Sequence, residues 1–422
     1  LEYESNLYEK FAVEAKYRRT LEGAVRRASG GFPVLLVTGP RQVGKTTLLE
    51  MCAEAGRRHV TLDDLDARSL ARDDPGLFIQ TYQPPIMIDE VQYAPELFSY
   101  LKIVADREKK NGLFWLTGSQ KFHLMRGITE SLAGRVAIID LLGLSQAELE
   151  GRGGASVPFM PTPEWVEEAK KIANRPKRLM DVYEQIWRGS FPRVNSIGDS
   201  MRDIFYRSYI QTYIQRDVKD VLSISDETSF HRFLGAAAAR TGQLLNYAKL
   251  AGDVGIDSKT AKSWLSVLET SGLIYLLKPF FRNVTKRLVK APKLYFLDTG
   301  LAAHLCKWPA PAALEAGAMS GAMLETHLFG EILKSYWHNG EEPHFYYYRD
   351  ADQREVDLVI ETGEAFYPVE FKKTATPSKT ASRHFRLLEK LGKPVGHGAV
   401  LCFVDRDIPL SASVAAVPIA YL

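Results

Sequence analysis

FPVLLVTGPRQVGKTTLLEMCAEAG, residues 32–56, joins an apolar run to a glycine-bounded loop and then to a stretch with helical spacing. The loop Gly39-Pro40-Arg41-Gln42-Val43-Gly44-Lys45-Thr46-Thr47 satisfies the pattern GxxxxGK[ST], in the strand, loop, helix setting that this pattern needs. The two glycines let the backbone curl so that successive N–H groups face one point, and the following helix adds the positive end of its dipole. Such a point binds phosphate. The spacing predicts that residues 39–47 wrap the phosphates of ATP, that Lys45 reaches the β- and γ-phosphates, and that Thr46 ligates Mg2+.

Further along, PPIMIDEVQ (84–92) reads as a second buried strand ending in two acids. Asp89 is expected to hold the magnesium through water, and Glu90 to polarise the attacking water. LFWLTGS (113–119) is a third strand with small polar residues at its end. In P-loop ATPases with an additional central strand that position senses the γ-phosphate; here it is Ser119, or else Thr117 or Gln120, with a plain turn residue as the alternative. SLAGRVAIIDLLGLSQAEL (131–149) sets Arg135 before another strand-like run. Arg135 either contacts a γ-phosphate, in cis or from a neighbouring subunit, or is a helix-end cation.

On these stretches, together with TLDD (61–64), YIQRDV (213–218), PKLYFLDTGL (292–301) and REVDLVIE (354–361), the chain resembles bacterial and archaeal AAA-type ATP-binding proteins whose C-terminal half is a domain of unknown function. The resemblance implies an ATPase domain, a winged-helix region and a restriction-endonuclease-like terminal domain.

In the middle of the chain, EGRGGASVPFMPTP (150–163) has the glycine and proline content of an exposed linker or inserted loop. Helical patterns follow to residue 240. Within them Tyr206, Ile210, Tyr213, Ile214, Val218 and Val221 form a core stripe, and Arg216 is either a sensor arginine of a helical lid or the partner of Asp220 in a surface ion pair. From 241 the pattern is a helix, the turn IDS, and a second helix with Ala261, Trp264, Leu265 and Leu268 inward, N-capped by Asp257 or Ser258. A strand and a wing-like hairpin come next. Between 278 and 297 stand Lys278, Arg282, Lys286, Arg287, Lys290 and Lys293 with no acid. With Lys259 and Lys262 on the second helix, Arg282, Lys286, Arg287 and Lys290 form a patch suited to the phosphates of duplex DNA.

GAMLETHLFGEILKSYW (321–337) reads as an amphipathic helix that places Glu325 and Glu331 away from its apolar side. REVDLVIETGEAFYPVEFKKT (354–374) reads as a hairpin. Gly363 as the first central residue of a two-residue II′ turn sets opposed positions to sum to 727, so that Asp357 faces Glu370 and Glu355 faces Lys372. Opposed carboxylates repel unless a cation lies between them. A magnesium ion held by Asp357 and Glu370, with Lys372 orienting a water and Glu325 completing the set, removes the conflict. The pattern is similar to the PD-(D/E)XK nuclease core, without a proline before Asp357. The alternative is a nuclease-like fold used for binding, with Glu355 and Lys372 as a cross-strand ion pair.

At 422 residues the chain exceeds a single hydrophobic core and predicts roughly two to four domains. We place their bounds at 1–150 for the P-loop domain, 151–240 for a linker and helical lid, 241–300 for a winged helix-turn-helix and 301–422 for the terminal domain. The fold class is α/β: a P-loop NTPase parallel sheet of AAA type, a helical and winged-helix middle, and a C-terminal PD-(D/E)XK-like α/β domain. With 54 Lys and Arg against 51 Asp and Glu, a basic surface has to be local. Cys52, Cys306 and Cys402 lack the spacing of a disulfide framework or zinc site. No apolar run reaches the ~18 residues of a membrane span, and the acidic N-terminal stretch has no signal-peptide core; a cytoplasmic location without membrane attachment is expected. The cofactors expected are ATP and Mg2+. The function expected is that of an ATP-binding protein and Mg2+-dependent ATPase whose nucleotide state controls DNA engagement by the C-terminal half, as a homo-oligomer with sites between subunits. An ATP-gated nuclease and a nucleotide-dependent signalling switch with a protein partner are the alternatives.

Overall fold

A computed structural model describes residues 17–119, 124, 127, 128, 130–173, 175–213, 227–281 and 290–422. After helix α1 (Glu22–Gly31), strands β1 (Val34–Thr38), β2 (Arg58–Thr61), β3 (Ile86–Asp89), β4 (Phe114–Gly118) and β5 (Val136–Asp140) form one parallel sheet in the order β2-β3-β4-β1-β5. Strand β1 lies between β4 and β5 and is buried at every position, which is why VLLVT carries no polar alternation. Its Val34 and Leu36 pack with Ile88 and Leu116 against Phe98 and Leu101 of a covering helix (Leu97–Glu108). Leu35 and Val37 face the other way, into a buried cluster that continues through Phe159, Tyr183 and Phe191 to Leu328 and Leu358 in the C-terminal half.

The chain leaves β1 into the glycine loop and helix α2 (Lys45–Cys52). Gly39 has φ +139°, and a Cβ there would meet the Leu141 carbonyl oxygen at 2.1 Å, so no other residue fits. Gly44 has φ +91° and ends the loop without a side-chain cap, leaving the first-turn N–H groups of α2 for a ligand. Strand register pairs Val34 with Val136 and Thr38 with Asp140. Arg135 therefore sits at the end of the sheet remote from the glycine loop.

The middle segment contains helices α3 (Leu179–Arg188), α4 (Pro192–Ile197), α5 (Arg202–Tyr213) and α6 (Glu227–Ala238), then β6 (Gln243–Leu244), α7 (Tyr247–Val254), α8 (Ser258–Thr270), β7 (Ile274–Leu277) and β8 (Lys293–Phe296). Strands β6, β8 and β7 make a three-stranded antiparallel sheet in that order. Sequence patterning begins the first of the paired helices at 244, whereas residues 243–244 pair with β8 and Asn246 caps α7 through Lys249 N–H (2.9 Å). Asp257 caps α8 through the N–H groups of Lys259 and Thr260 (2.8 and 2.9 Å). Of the expected core stripe, Tyr206 and Ile210 are buried. Ile214, Arg216, Val218, Asp220 and Val221 lie outside the described residues, as does the Tyr213 side chain.

Packing decides the character of two further segments. Residues 150–163 are partly exposed along most of their length but are pinned to the core at Phe159, as an inserted loop is and a free linker is not. Phe159 is fully buried edge-on to Trp165; its N–H donates to Ser335 Oγ (2.9 Å), and its carbonyl accepts from the Tyr336 hydroxyl (2.8 Å). Likewise helix α9 (Ser320–Trp337; α10, Thr299–Leu305, precedes it in the chain), read as amphipathic, is buried nearly all round, packed against β8 and against the strand Phe366–Phe371. Its Glu331 accepts from Gln146 N–H (2.6 Å) and pairs with Lys334 (2.8 Å), whose Nζ also donates to the Leu144 carbonyl (2.9 Å). A polar residue on a buried helix is tolerated only with such partners.

The C-terminal sheet is mixed, in the order β13-β14-β12-β11-β10-β9, from β9 (Phe345–Arg349), β10 (Glu355–Glu361), β11 (Phe366–Phe371), β12 (Gly398–Cys402), β13 (Ile408–Pro409) and β14 (Val414–Pro418). In the β10–β11 hairpin Leu358 pairs with Val369 and Glu361 with Phe366, the register in which positions sum to 727. The turn type differs from the expected II′ form. Gly363 does not take a positive φ, and the Thr362 hydroxyl instead accepts from the N–H groups of Glu364 and Ala365 (3.3 and 3.1 Å). Tyr347 of β9 exchanges backbone hydrogen bonds with Phe280 and Lys278 (2.8 and 3.1 Å), fastening the end of β7 to the C-terminal sheet.

Candidate nucleotide site and the C-terminal carboxylate cluster

Lys45 opens α2 and is buried. Its Nζ donates to the carbonyls of Gly39 (3.1 Å) and Pro40 (2.8 Å), so the ammonium is drawn back over the loop it belongs to. Gln42, at φ +63°, and Gly44 give the loop its curl. Thr46 Oγ1 donates to both carboxylate oxygens of Asp89 (3.0 and 3.1 Å). A hydroxyl and a carboxylate side by side next to a phosphate cradle are hard oxygen donors of the kind Mg2+ takes, and these two residues fit the ion.

Beyond Asp89 the backbone turns through Glu90 at φ +55°, which swings its side chain to the same end of the sheet. Three neighbours fix the acid pair. Thr117 hydrogen-bonds Asp89 and accepts the Glu90 N–H (3.3 Å), while Ser119 Oγ (3.4 Å) and Gln92 Nε2 both donate to Glu90 Oε2. Of the three sensor candidates, Thr117 thus attends to Asp89 and Ser119 to Glu90; Gln120 lies outside the described residues. Gln92 was not singled out from the sequence, although it stands two residues past Glu90 in IDEVQ. Arg135 is corrected for a contact in cis: remote from the glycine loop, it makes a two-pronged ion pair with Asp106 (2.5 and 2.9 Å).

An open cavity of about 1140 Å3 adjoins the loop at Gln42, Gly44 and Thr47 and is walled by Arg193, Phe205 and Tyr209 from the middle helices. Sequence patterning gave no sign of Arg193, because a single arginine in the six-residue helix α4 has no periodic signature. Its position is set by Asp298 of LDTG, whose carboxylate accepts from Ser190 N–H and Oγ (2.6 and 2.8 Å), the Tyr206 hydroxyl (2.8 Å) and Leu301 N–H (2.6 Å). The segment Ser190–Arg193 is thereby pinned between α3 and α10.

Arg19 forms the other wall. From Nη1 it donates to the Val43 carbonyl of the glycine loop (2.8 Å), from Nη2 to the Leu142 carbonyl (2.8 Å), and its Nε lies 3.1 Å from Glu148. Burial opposes the Glu148 charge, yet Arg19 and His338 hold its carboxyl well below the usual carboxylate range. Burial lowers the pKa of His338, at the end of α9, against the pull of Glu148, and its Nε2 accepts the Leu142 N–H (3.3 Å). The glycine loop and the C-terminal helix therefore share one buried polar network.

At the far end of α9, Glu325, Asp357, Glu370 and Lys372 do come together, but around a residue assigned elsewhere. Lys293 of β8, expected on the basic hairpin, is 4% exposed in its side chain. Its Nζ lies 2.8 Å from Glu325, 2.5 Å from Glu355 and 3.7 Å from Asp357. Lys372, just past the end of β11, pairs with Glu370 two residues before it (2.6 Å), not across the hairpin with Glu355. Asp357 Oδ2 accepts the Phe371 N–H (3.1 Å), and Tyr295 donates to Glu325 (2.6 Å). Burial pushes the Glu325 carboxyl up to about 7 against the pull of Lys293. Burial, with Asp357 adding to it and Lys372 opposing, pushes Glu370 up to about 8. Burial disfavours the Lys293 ammonium, but Tyr295, Glu325, Asp357 and Glu355 hold it well above the usual lysine range. Among the described residues no group of three or more His, Cys, Asp or Glu side chains is arranged to hold a metal ion.

Lys259, Lys262 and Lys290 are exposed on or beside the helix pair α7–α8, with Lys262 5.2 Å from the Tyr247 ring centre. Arg282, Lys286 and Arg287 lie outside the described residues. No helix among the described residues is long and apolar enough to cross a membrane.

Residues 31–150 match the family described as AAA domain, which agrees with the P-loop and the parallel sheet. Residues 179–312 and 320–422 match two families described as domains of unknown function, DUF8612 and DUF4143. The uncharacterized proteins Rv2008c of Mycobacterium tuberculosis and Mb2031c of Mycobacterium bovis are each 30% identical over 410 residues, covering 95% of this chain and 83% of theirs. Among solved structures, the Walker-type ATPase PABY2304 of Pyrococcus abyssi overlaps 70% of this chain and 99% of its own at 14% identity and a TM-score of 0.41. The Thermotoga maritima RuvB Holliday junction branch migration motor overlaps 64% and 89% at 18% identity and a TM-score of 0.28.

Proposed function

This chain belongs to the family of the uncharacterized mycobacterial proteins Rv2008c and Mb2031c, and from its AAA domain we propose that it is a Mg2+-dependent ATP hydrolase whose nucleotide state governs engagement of DNA by the C-terminal half. The observation that carries hydrolysis is the convergence of Lys45, Thr46, Asp89 and Glu90 at one end of a parallel sheet, with Glu90 already oriented by Ser119 and Gln92. Lys45 exchanges the carbonyls of Gly39 and Pro40 for the β- and γ-phosphate oxygens. Glu90 accepts the proton of the attacking water. Thr46 and Asp89 hold the magnesium ion, which when bound neutralises charge on the phosphates. The cavity beside Thr47 receives the base and ribose, with Arg193 facing the nucleotide from the lid.

The link to the C-terminal half is supported by Arg19, which touches the Val43 carbonyl and, through Glu148, the His338 end of α9. For the output, the order helix, strand, two helices, two strands over residues 227–296, with sheet order β6-β8-β7, supports a winged helix that presents Lys259 and Lys262 on α8. The order of α9, β9, β10 and β11 followed by a parallel β12 supports a restriction-endonuclease-like core. Assembly as a homo-oligomer supplies the second side of the nucleotide site.

Lys45→Ala should abolish ATP turnover, and duplex DNA should raise the turnover of the wild type. Unchanged turnover in Lys45→Ala removes the P-loop assignment. Substituting Lys286 and Arg287 together should weaken DNA binding and flatten its salt dependence. If both stay unchanged, the C-terminal half engages a protein partner and the signalling reading replaces the DNA reading.

A further inference from the structure

We propose that the C-terminal carboxylate cluster is a closed cation site whose resident cation is the ammonium of Lys293, delivered from strand β8, and that this chain holds no divalent ion there. Lys293 Nζ lies within 2.8 Å of Glu325, 2.5 Å of Glu355 and 3.7 Å of Asp357, and Lys372 occupies Glu370 at 2.6 Å. The second oxygen of Asp357 is taken by the Phe371 N–H. The charges that a magnesium ion would bind are thus answered by the protein itself. Magnesium demands an octahedral oxygen shell and keeps several of its waters. A buried ammonium among the same carboxylates repels a dication and fills the space its waters need. The residues therefore do not fit the ion that the hairpin pattern implies.

The arrangement also says what Lys293 does. It carries a positive charge from the three-stranded sheet into the C-terminal half, tying β8 to β10 and α9 by ion pairs in which the lysine is buried and the carboxylates are half-buried. Lys293 is correspondingly buried and adds nothing to the basic surface of that hairpin. Without the ammonium, Glu325, Glu355, Asp357 and Glu370 would face one another with Glu370 Oε2, already buried and unpartnered, added to the set. These are hard oxygen donors of the kind a divalent ion takes, so removing one lysine should let them close around one.

The test is Mn2+ binding, read as loss of the free-ion electron paramagnetic resonance signal, on the full chain without nucleotide. Wild type and Asp357→Asn should bind the same amount, the remainder being owed to the P-loop. Lys293→Met should gain one Mn2+ per chain, at least ~10-fold tighter than any wild-type binding at the cluster, and Lys293→Met/Asp357→Asn should lose it again. Lys293→Arg should remain closed, since it preserves the charge. A wild-type Mn2+ site that Asp357→Asn abolishes would overturn the proposal, and so would a folded Lys293→Met that gains none. Where Lys293→Met does not fold, the comparison of wild type with Asp357→Asn still decides.

Discussion

Replacing Arg19 by methionine removes a guanidinium of 4% side-chain exposure and leaves Glu148, at 0%, without its main counter-charge. Breaking a buried pair from one side costs about 3–5 kcal/mol. Glu148 keeps the N–H groups of Thr20 (2.8 Å) and Ser145 (2.9 Å), which places the expected loss at the lower end, about 3 kcal/mol. The pH dependence identifies the cause. In the wild type the Glu148 carboxyl is held below its ordinary value of 4.5, so its contribution is present above that pH and fades as the pH falls through the lower folded value. In the variant, burial without Arg19 raises the carboxyl instead. The penalty is then full at neutral pH and relaxes on acidification. His338 moves in the same direction, because Arg19 is one of the charges that lower its pKa and its removal lets that value rise. Urea unfolding of wild type and variant at about pH 7.5 and about pH 5.5 should therefore show a gap that narrows at the lower pH. Glu148→Gln added to Arg19→Met should recover part of the loss at about pH 7.5, since it removes the stranded charge. A variant within about 0.5 kcal/mol of wild type at neutral pH, or a gap that widens on acidification, would refute this account of the network.

Three further outcomes follow from the geometry. Glu90→Gln should retain nucleotide binding while turnover falls roughly 10²- to 10⁴-fold in a steady-state phosphate-release assay; retention of more than a tenth of the activity would remove Glu90 as the base. Arg135→Ala should leave turnover within about twofold, as its Asp106 pair lies at the remote end of the sheet, and a large loss that depends on protein concentration would instead assign it to a neighbouring subunit's site. Phe159→Ala should cost about 3–5 kcal/mol in urea unfolding, against the near-zero effect of an exposed linker residue.

Much of the first 150 residues was legible because its chemistry is local. A loop of nine residues between a strand and a helix fixes the phosphate cradle, and Asp89-Glu90 at the end of an apolar run fixes where two acids emerge. The position of the turn likewise set the register of the β10–β11 hairpin, though the turn that achieves it rests on Thr362 and not on a positive-φ glycine. Asp257 as a helix cap was readable for the same reason: the capping residue and the N–H groups it satisfies are two and three positions apart.

Tertiary structure alone decided where long-range charges went. Lys293 sits in a run of basic residues, and nothing near it in sequence tells that its ammonium ends among Glu325, Glu355 and Asp357; that follows from β8 lying against α9 and β10. Residues 150–163 have the composition of a linker, yet Phe159 is buried because α9 passes beside it. Arg135 follows a motif that suggests a phosphate contact, and only the strand register shows it at the wrong end of the sheet. Short-range patterns prescribe backbone geometry over a few residues. Which buried charge meets which is set by elements far apart in the chain, through a desolvation cost that only the folded core imposes.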